Sequence, residues 1–550
     1  MLNTQLFKFD ALSNFVGIFI IFFSLLIIIY SSGFMKAKRG LILYYFYIVL
    51  TLIASLGAVF SNNLVLFMVC WGFLAFLLYL LIWFGEKEHT PSTAKKSFII
   101  IGGSDIFMLL GLAFVWKITG TVQMDKISLL LNTKASVFAY LCLAIGAFAK
   151  AGAMPFHTWV PDTASDAPTP VTAYLPASLD KLLGIYFLGR LSLDMFKMDA
   201  IMNIVLMSIG SITIIAAVMM ALVQHDLKRL LGYHAVSQVG YMVLGIGTGT
   251  VLGIAGGIFH MLNNAIYKAG LFLSGGNVEK KAGTTDLERL GGFAKLMPIS
   301  FITFLIASLS ISGVPPFNGF VSKWLIYQGI IETGKSGGYL WVLWLIAAMF
   351  GSALTLASFM KLVHAVFLGQ PSKEYKVSSI KHREVSITMW IPVVILAILC
   401  VVFGVFAYQI PLRIFIFPSV GFTGEFSGLW TPSLATLLIL VGILLGVIIY
   451  FIGTVTKTRQ TEVFIGGEII DEYPQMRVSG ARFYDTIREL DILKSIYSLA
   501  EKGYFDIYRI GQRIIYSFSS LLRYFHNGIL STYLAWCIFG MIILFYVLFR

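Results

Sequence analysis

The chain has 550 residues, 58% of them hydrophobic and only 12% charged. A soluble domain carries about 25% charge, so this composition argues against a water-soluble multidomain protein. Apolar runs of about 18 residues or more recur along the chain and indicate an all-α polytopic membrane protein. The net charge of +13 is assigned to cytoplasmic loops rather than to nucleic acid.

The first apolar run, about 13–33, lacks a small-residue cleavage site and reads as a retained helix rather than a signal peptide. Spans follow at about 41–61, 63–84 and 96–117, the last carrying a lone carboxylate, Asp105, in "IIIGGSDIFMLLG". The span 136–154 ends in "AKAGAMPFHTW", where Lys150 stands inside the apolar run and Pro155 is expected to break the helix. A charge at mid-membrane costs at least a few kcal/mol. Burial penalises the ammonium, which equips Lys150 to take up and release a proton.

The span 170–194 contains Asp180 and Lys181, sequence neighbours that point to different faces of a helix. Spans at 201–222 and 231–250 follow. In 252–275, "IFHMLNNAIYKAGLFLSGG" places His260, Asn264 and Lys268 four apart on one face, an arrangement suited to proton transfer. The stretch 297–332 is expected to break at Pro315 and Pro316 and carries Lys323 beyond the break. With its Pro-Phe and its lysine it echoes the segment around Lys150, at a distance that makes the two helices antiparallel. Such pairs of broken helices mark ion sites in transporters built from inverted repeats.

Spans at 340–368, 388–408, 432–454 and 531–549 bring the total to about fourteen crossings. Between the last two, residues 457–527 are polar and basic. Ile507, Ile510, Ile514, Phe518 and Leu521 form an apolar stripe that suits a helix lying along a surface. Forty helical residues there would reach about 60 Å, with Gly503 and Gly511 as weak points. Loops on one side, including Lys36, Lys38, Lys95, Lys228, Arg229, Lys280 and Lys373, hold about twice the basic residues of the other, which includes Lys117, Arg190 and Lys197. The richer side is expected to be cytoplasmic, with both termini outside. Lys228 and Arg229 are expected to serve orientation and lipid contact. Cys70, Cys142, Cys400 and Cys537 lie in apolar runs without a C-x-x-C pair and read as packing residues. No metal site, cofactor or phosphate loop is expected in this chain.

"KAGAMPFHTWVPDTASDAPTPVTA", "HDLKRLLGYHAVSQVGYM", "FHMLNNAIYKAGLFLSGG" and "GVPPFNGFVSKW" resemble the antiporter-like subunits shared by respiratory complex I, group 4 membrane-bound [NiFe]-hydrogenases and Mrp-type Na⁺/H⁺ antiporters. The tail ending "YFHNGILSTYLAW" resembles the lateral helix and anchor of the largest such subunit. The resemblance implies two inverted five-helix repeats, each with a broken helix. It divides the chain into N-terminal helices (1–95), two antiporter-like halves (96–250 and 251–410), an additional helix (411–456), a lateral segment (457–528) and an anchor (529–550).

The resemblance also implies a proton path through Lys150, Lys181, His260, Lys268 and Lys323, with Asp105, Asp180 and Asn264 supporting it. Family members often carry a glutamate after the tryptophan of the helix matching "VCWGFLAFLLYLLIWF", where this chain has Gly72. That glutamate pairs with the central lysine, so Asp180, Asp105 or a neighbouring subunit must here supply the acid. Gly72, together with a start at the family's usual third helix, leans toward a hydrogenase-type complex over standard complex I.

The implied function is that of an ion-translocating, non-redox subunit of a proton-translocating oxidoreductase in a prokaryotic inner membrane. Its implied partners are other membrane subunits, including further antiporter-like ones, a peripheral redox module and the lipid bilayer. The alternatives are an Mrp-type antiporter subunit, or a structural subunit whose first half-channel is impaired.

Overall fold

The computed structural model describes residues 6–336, 338–369, 384–421 and 480–549, with isolated helical positions at 437, 441, 444, 445, 447, 448 and 451. The predicted span 432–454, the loop lysines Lys373, Lys376 and Lys381, and the lateral segment before residue 480 fall largely or wholly outside the described residues. The chain forms two compact units, Met1–Glu489 and Leu490–Arg550.

The first unit is helical: α1 (Ala11–Phe34), α2 (Leu41–Phe60), α3 (Leu64–Ile82), α4 (Thr90–Thr119), α5 (Lys134–Ala151), α6 (Trp159–Asp166), α7 (Thr169–Tyr174), α8 (Asp180–Gly189), α9 (Ala200–Leu222), α10 (Leu227–Gly247), α11 (Val251–Ala282), α12 (Pro298–Ser312), α13 (Asn318–Thr333), α14 (Leu340–Val363) and α15 (Ile387–Val405). Two short strands, Leu129–Leu130 and Phe196–Lys197, pair in parallel between loops. Helices occupy every predicted span outside 432–454. Nine of those among the described residues are long and apolar enough to cross a membrane by length and composition.

Small polar residues set where the helices start. Asp10 with Ser13 and Thr133 with Ser136 form reciprocal capping boxes on α1 and α5. Asn63, Asp199, Asp226 and Thr250 cap α3, α9, α10 and α11. These side chains satisfy amide groups that lipid could not.

The polar helices are the innermost ones. Along α10 every residue except Arg229 is buried, α8 is buried throughout, and α11 is buried from Leu252 to Val278. The outer faces of α1, α2, α4, α9 and α14 instead expose apolar side chains such as Leu25, Ile53, Ile106, Ile212 and Ile346. This is the distribution expected of a bundle with a polar interior and a lipid-facing rim. Backbones approach closely at the centre: a Cβ on Gly240 would fall 2.6 Å from the Gly210 carbonyl oxygen, so these two glycines let α9 and α10 touch.

Four differences from the sequence reading have physical causes. First, α5 does not run to Pro155. It stops at Ala151 because Gly152 takes a left-handed conformation with φ 77°, and α12 stops in the same way at Gly313 with φ 80°, ahead of Pro315. Second, the span at 170–194 is interrupted by two wide π-helical turns, Leu175–Leu179 and Arg190–Met195, the first containing Pro176.

Third, Lys228 is not a lipid contact. It is buried, donates to the Ala167 carbonyl at 2.8 Å and lies 3.5 Å from Glu279. Arg229 pairs with Asp162 at 3.6 Å. Arg190, expected in a loop, is also buried and bridges Asp10 and Asp194. Fourth, the lateral segment is not one helix among the described residues. In the second unit, Asp491–Glu501 is separated from Ile507–Phe525 at Gly503, which has φ 75°, while Gly511 sits inside an intact helix. Leu530–Leu548 follows as an apolar helix.

Candidate functional site

The bundle interior holds a series of ionisable and amide side chains that begins with half-buried Asp105 on α4 and continues through buried residues to α13. Lys150, in the last turn of α5, is fully buried. Its Nζ lies 5.0 Å from the centre of the Trp71 ring and 3.5 Å from the Trp71 carbonyl oxygen. The residue after Trp71 is Gly72, and a Cβ there would lie 3.7 Å from Asp105 Oδ2. Asp105, on α4, therefore lies at van der Waals contact distance from where a side chain at position 72 would begin. The Trp71 indole faces the same carboxylate without forming a hydrogen bond of good geometry. Among the described residues, Asp180 and Asp105 are the two carboxylates within electrostatic reach of Lys150.

Lys181, next to Asp180 at the start of α8, points the other way. Its Nζ donates to the Ala151 carbonyl and sits 5.6 Å from the Trp159 ring. The Trp159 indole in turn donates to the Ala149 carbonyl at 3.0 Å. The carbonyls set free where α5 ends are thus occupied by a lysine and an indole. Asp180 Oδ2 makes no hydrogen bond among the described residues, so within the chain its main interaction is with the neighbouring ammonium groups.

The second break is built on the same plan. The Ala153 amide donates to the Phe148 carbonyl after Gly152, and the Val314 amide donates to the Leu309 carbonyl after Gly313. Lys323 Nζ donates to the Ile311 carbonyl at 2.8 Å and sits 4.7 Å from the Tyr241 ring. A Cβ on Gly152 would meet Lys181 Nζ at 3.1 Å, and a Cβ on Gly313 would meet Lys323 Cδ at 3.1 Å. In these contacts Lys323 resembles Lys181, which lies on a later helix, whereas Lys150, on the broken helix itself, is near the Trp71 carbonyl. In each case a lysine that follows the glycine closes the end of the broken helix.

α11 connects the two breaks. His260 Nδ1 lies 2.9 Å from Ser322 Oγ, and His260 Nε2 lies 3.1 Å from Gln238 Oε1. With the amide in this orientation the imidazole donates from Nε2 and accepts the Ser322 hydroxyl at Nδ1. Asn264 donates to the Ala177 carbonyl at 3.3 Å, on the side of the first break. Lys268 donates to the Leu231 carbonyl at 2.9 Å and lies 5.5 Å from the Phe359 ring. The three polar residues of α11 therefore engage three different neighbours rather than each other. Lys181 is within electrostatic reach of Lys268, and Lys323 is within reach of His260.

Two members of this series escaped the sequence reading. His234 Nε2 lies 2.8 Å from Ser358 Oγ, and Lys268 and Lys323 are both within its electrostatic reach. Gln238, one turn along α10, holds His260. His234, Gln238 and Tyr241, four and three apart, share a helix face as His260, Asn264 and Lys268 do, and that spacing was the available signal. Asn263 and Asn318 bond each other at 2.9 Å and tie α11 to the start of α13.

Residues 61–355 match the family described as NADH:quinone oxidoreductase/Mrp antiporter, TM. The chain is 33% identical to a Na(+)/H(+) antiporter subunit A1 of Staphylococcus haemolyticus over 422 residues, 72% of this chain and 52% of that protein. It is 34% identical to the same-named subunit of Staphylococcus saprophyticus over 403 residues, 69% of this chain and 50% of that protein. The chain thus spans about half the length of these curated relatives. In fold it is similar to a chain of the membrane-bound sulfane sulfur reductase, an archaeal respiratory membrane complex. There the TM-score is 0.80 at 23% identity, covering 99% of this chain and 90% of the other. A chain of the Mrp complex from Dietzia sp. DQ12-45-1b gives a TM-score of 0.69 at 22% identity, covering 76% and 84%. The chain is a multi-pass membrane protein and belongs to the NADH:quinone oxidoreductase/Mrp antiporter transmembrane family.

Proposed function

We propose that the chain is an ion-translocating, antiporter-like subunit of a multi-subunit complex in a prokaryotic inner membrane, and that it moves protons along its buried polar axis. The observation that carries this reading is the unbroken succession from Asp105 and Lys150, through Asp180, Lys181, Lys268 and His234, to Lys323 and His260. Each member is within hydrogen-bonding or electrostatic reach of the next. A structural bundle has no use for so many buried lysines, since each costs several kcal/mol unless matched. The amines, carboxylates and imidazoles suit protons, whereas a Na⁺ site needs more oxygen ligands.

In this reading Asp105 supplies the acid that Gly72 lacks, and Asp180 faces the same lysine. A proton arriving near the pair favours charged Lys150, and its departure toward Lys181 leaves the carboxylates to attract the next. The two glycine breaks leave carbonyls that Lys181 and Lys323 hold, so each lysine keeps its position whether or not it is charged. The inverted-repeat organisation and the cytoplasmic placement of the basic loops belong to the same proposal, as does a peripheral redox module.

The test is Lys323→Ala in the assembled complex. Ion translocation is expected to fall to background while assembly and any driving redox turnover persist; wild-type translocation would refute the reading. A second reading, Na⁺/H⁺ exchange without a redox partner, is favoured by the curated relatives, which are Na(+)/H(+) antiporter subunits. Sodium-driven proton movement in everted vesicles without a redox substrate distinguishes the two.

A further inference from the structure

The buried axis leaves one polar cluster of the first unit unused, on the face proposed as cytoplasmic. The turn between α9 and α10 and the turn after α11 are tied together by backbone. The Leu287 amide donates to the His225 carbonyl and the Leu227 amide to the Thr285 carbonyl, both at 2.9 Å. This pairing sets His225 beside Glu288. A cavity of about 480 Å³ opens next to them. His225, Asp226, Asp286 and Glu288 wall it from the two turns, and Arg482, Asp485 and Arg488 from the segment that returns at residue 480.

The returning segment is a strap across these loop ends. Ala481 is buried. Arg482 Nε donates to Glu288 Oε1 at 3.3 Å, and the Tyr484 hydroxyl donates to the Ala357 carbonyl of α14 at 2.9 Å. The Phe483 ring meets His364, just past α14, edge-on with ring centres 5.7 Å apart. The strap closes the first unit, and the second begins at Leu490. Glu288 Oε1 faces a second nitrogen besides that of Arg482. His225 Nδ1 lies 3.7 Å from the same oxygen, too far for a hydrogen bond, and is buried with no hydrogen-bond partner among the described residues.

We propose that His225 is a pH-dependent release for this strap. A neutral imidazole leaves Glu288 to Arg482. Protonation puts a cation on the loop wall, where a closing shift of about 1 Å makes a charge-assisted bond to Glu288. The imidazolium then competes with Arg482 for one oxygen. It also offsets one of the three carboxylates, Asp226, Asp286 and Glu288, that face the arginines of the strap. The other charged groups around the cluster are Arg488 and Asp485 on the strap, the latter within electrostatic reach of Lys361 on α14. Imidazole is the side chain whose charge changes between pH 5 and 8. The strap is therefore held at the alkaline end of that range and loosened at the acid end. The device does not depend on the buried axis being an ion path.

The experiment is hydrogen–deuterium exchange of the strap amides, residues 481–489, in the assembled complex at pH 6 and pH 8, corrected for intrinsic exchange rates. Protection is expected to be about threefold greater at pH 8, the size of effect of one partly exposed ion pair. His225→Gln is expected to keep the higher protection at both pH values. Glu288→Gln, which removes the shared carboxylate, is expected to show the lower protection at both. His364→Gln is expected to retain the wild-type difference, since that ring meets Phe483 and no carboxylate of the cluster. Equal protection of the wild-type strap at the two pH values, or none at either, would overturn the proposal. So would a difference that survives in His225→Gln or is lost in His364→Gln.

Discussion

At the scale of single residues, the relation between Gly72 and Asp105 is the most informative. In the proposed path a carboxylate near Lys150 holds its proton between transfers, and α3 carries glycine after Trp71. Asp105 comes from a different helix, yet its oxygen lies 3.7 Å from where a Gly72 side chain would begin. Asp105→Asn is therefore expected to lower translocation by about tenfold, the effect of losing an opposite charge at contact range. Adding Gly72→Glu to that variant is expected to restore much of it, because the new acid enters the same space from α3. Vesicle translocation assays of the single and double variants check this; an unaffected Asp105→Asn excludes Asp105 as the partner. The buried lysines were legible in the sequence because an isolated charge stands out in an apolar run. His234 was less legible, since histidines are ordinary core residues; its spacing from Gln238 and Tyr241 was the sequence signal, and its partner Ser358, 124 positions away, emerges only in the fold.

At the scale of elements, both broken helices end at a glycine whose left-handed backbone leaves carbonyls for a lysine to hold. Proline drew attention in the sequence because it cannot continue a helix. The stop itself comes two or three residues earlier, from a Gly whose left-handed φ sets the end. The similar contacts of Lys323 and Lys181 were equally hidden, because they depend on which carbonyl each amine reaches.

Another element-scale tie lies outside the spans. Asp10, the cap of α1, pairs with Arg190 at the end of α8. Burial opposes ionisation of Asp10, but the bond and charge of Arg190 outweigh it and hold the carboxyl well below the usual carboxylate range. A depressed folded-state value means that the contribution is full above about pH 4 and is lost as the pH falls from there through the depressed value. Asp10→Asn is expected to lower the unfolding temperature of the purified complex by a few degrees at neutral pH, with the gap from wild type closing only in strong acid. A gap that closes between pH 7 and 5 would contradict this assignment.

At the scale of the whole molecule, lipid and water explain the arrangement. Apolar helices form the rim, and the helices that carry charge are enclosed by them. Composition alone predicted a helical membrane bundle, and hydropathy located its spans. It could not place the cavity, whose walls come from residues as distant as His225 and Asp485, nor the interruption of the lateral segment at Gly503. The central claim is that one buried axis joins the two broken helices through α11. Lys268 occupies its midpoint, with Lys181 on one side and His234 on the other. The measurement that tests this most directly is ion translocation by the assembled complex carrying Lys268→Ala. The account predicts that translocation falls to background with assembly intact; wild-type translocation in that variant would contradict it.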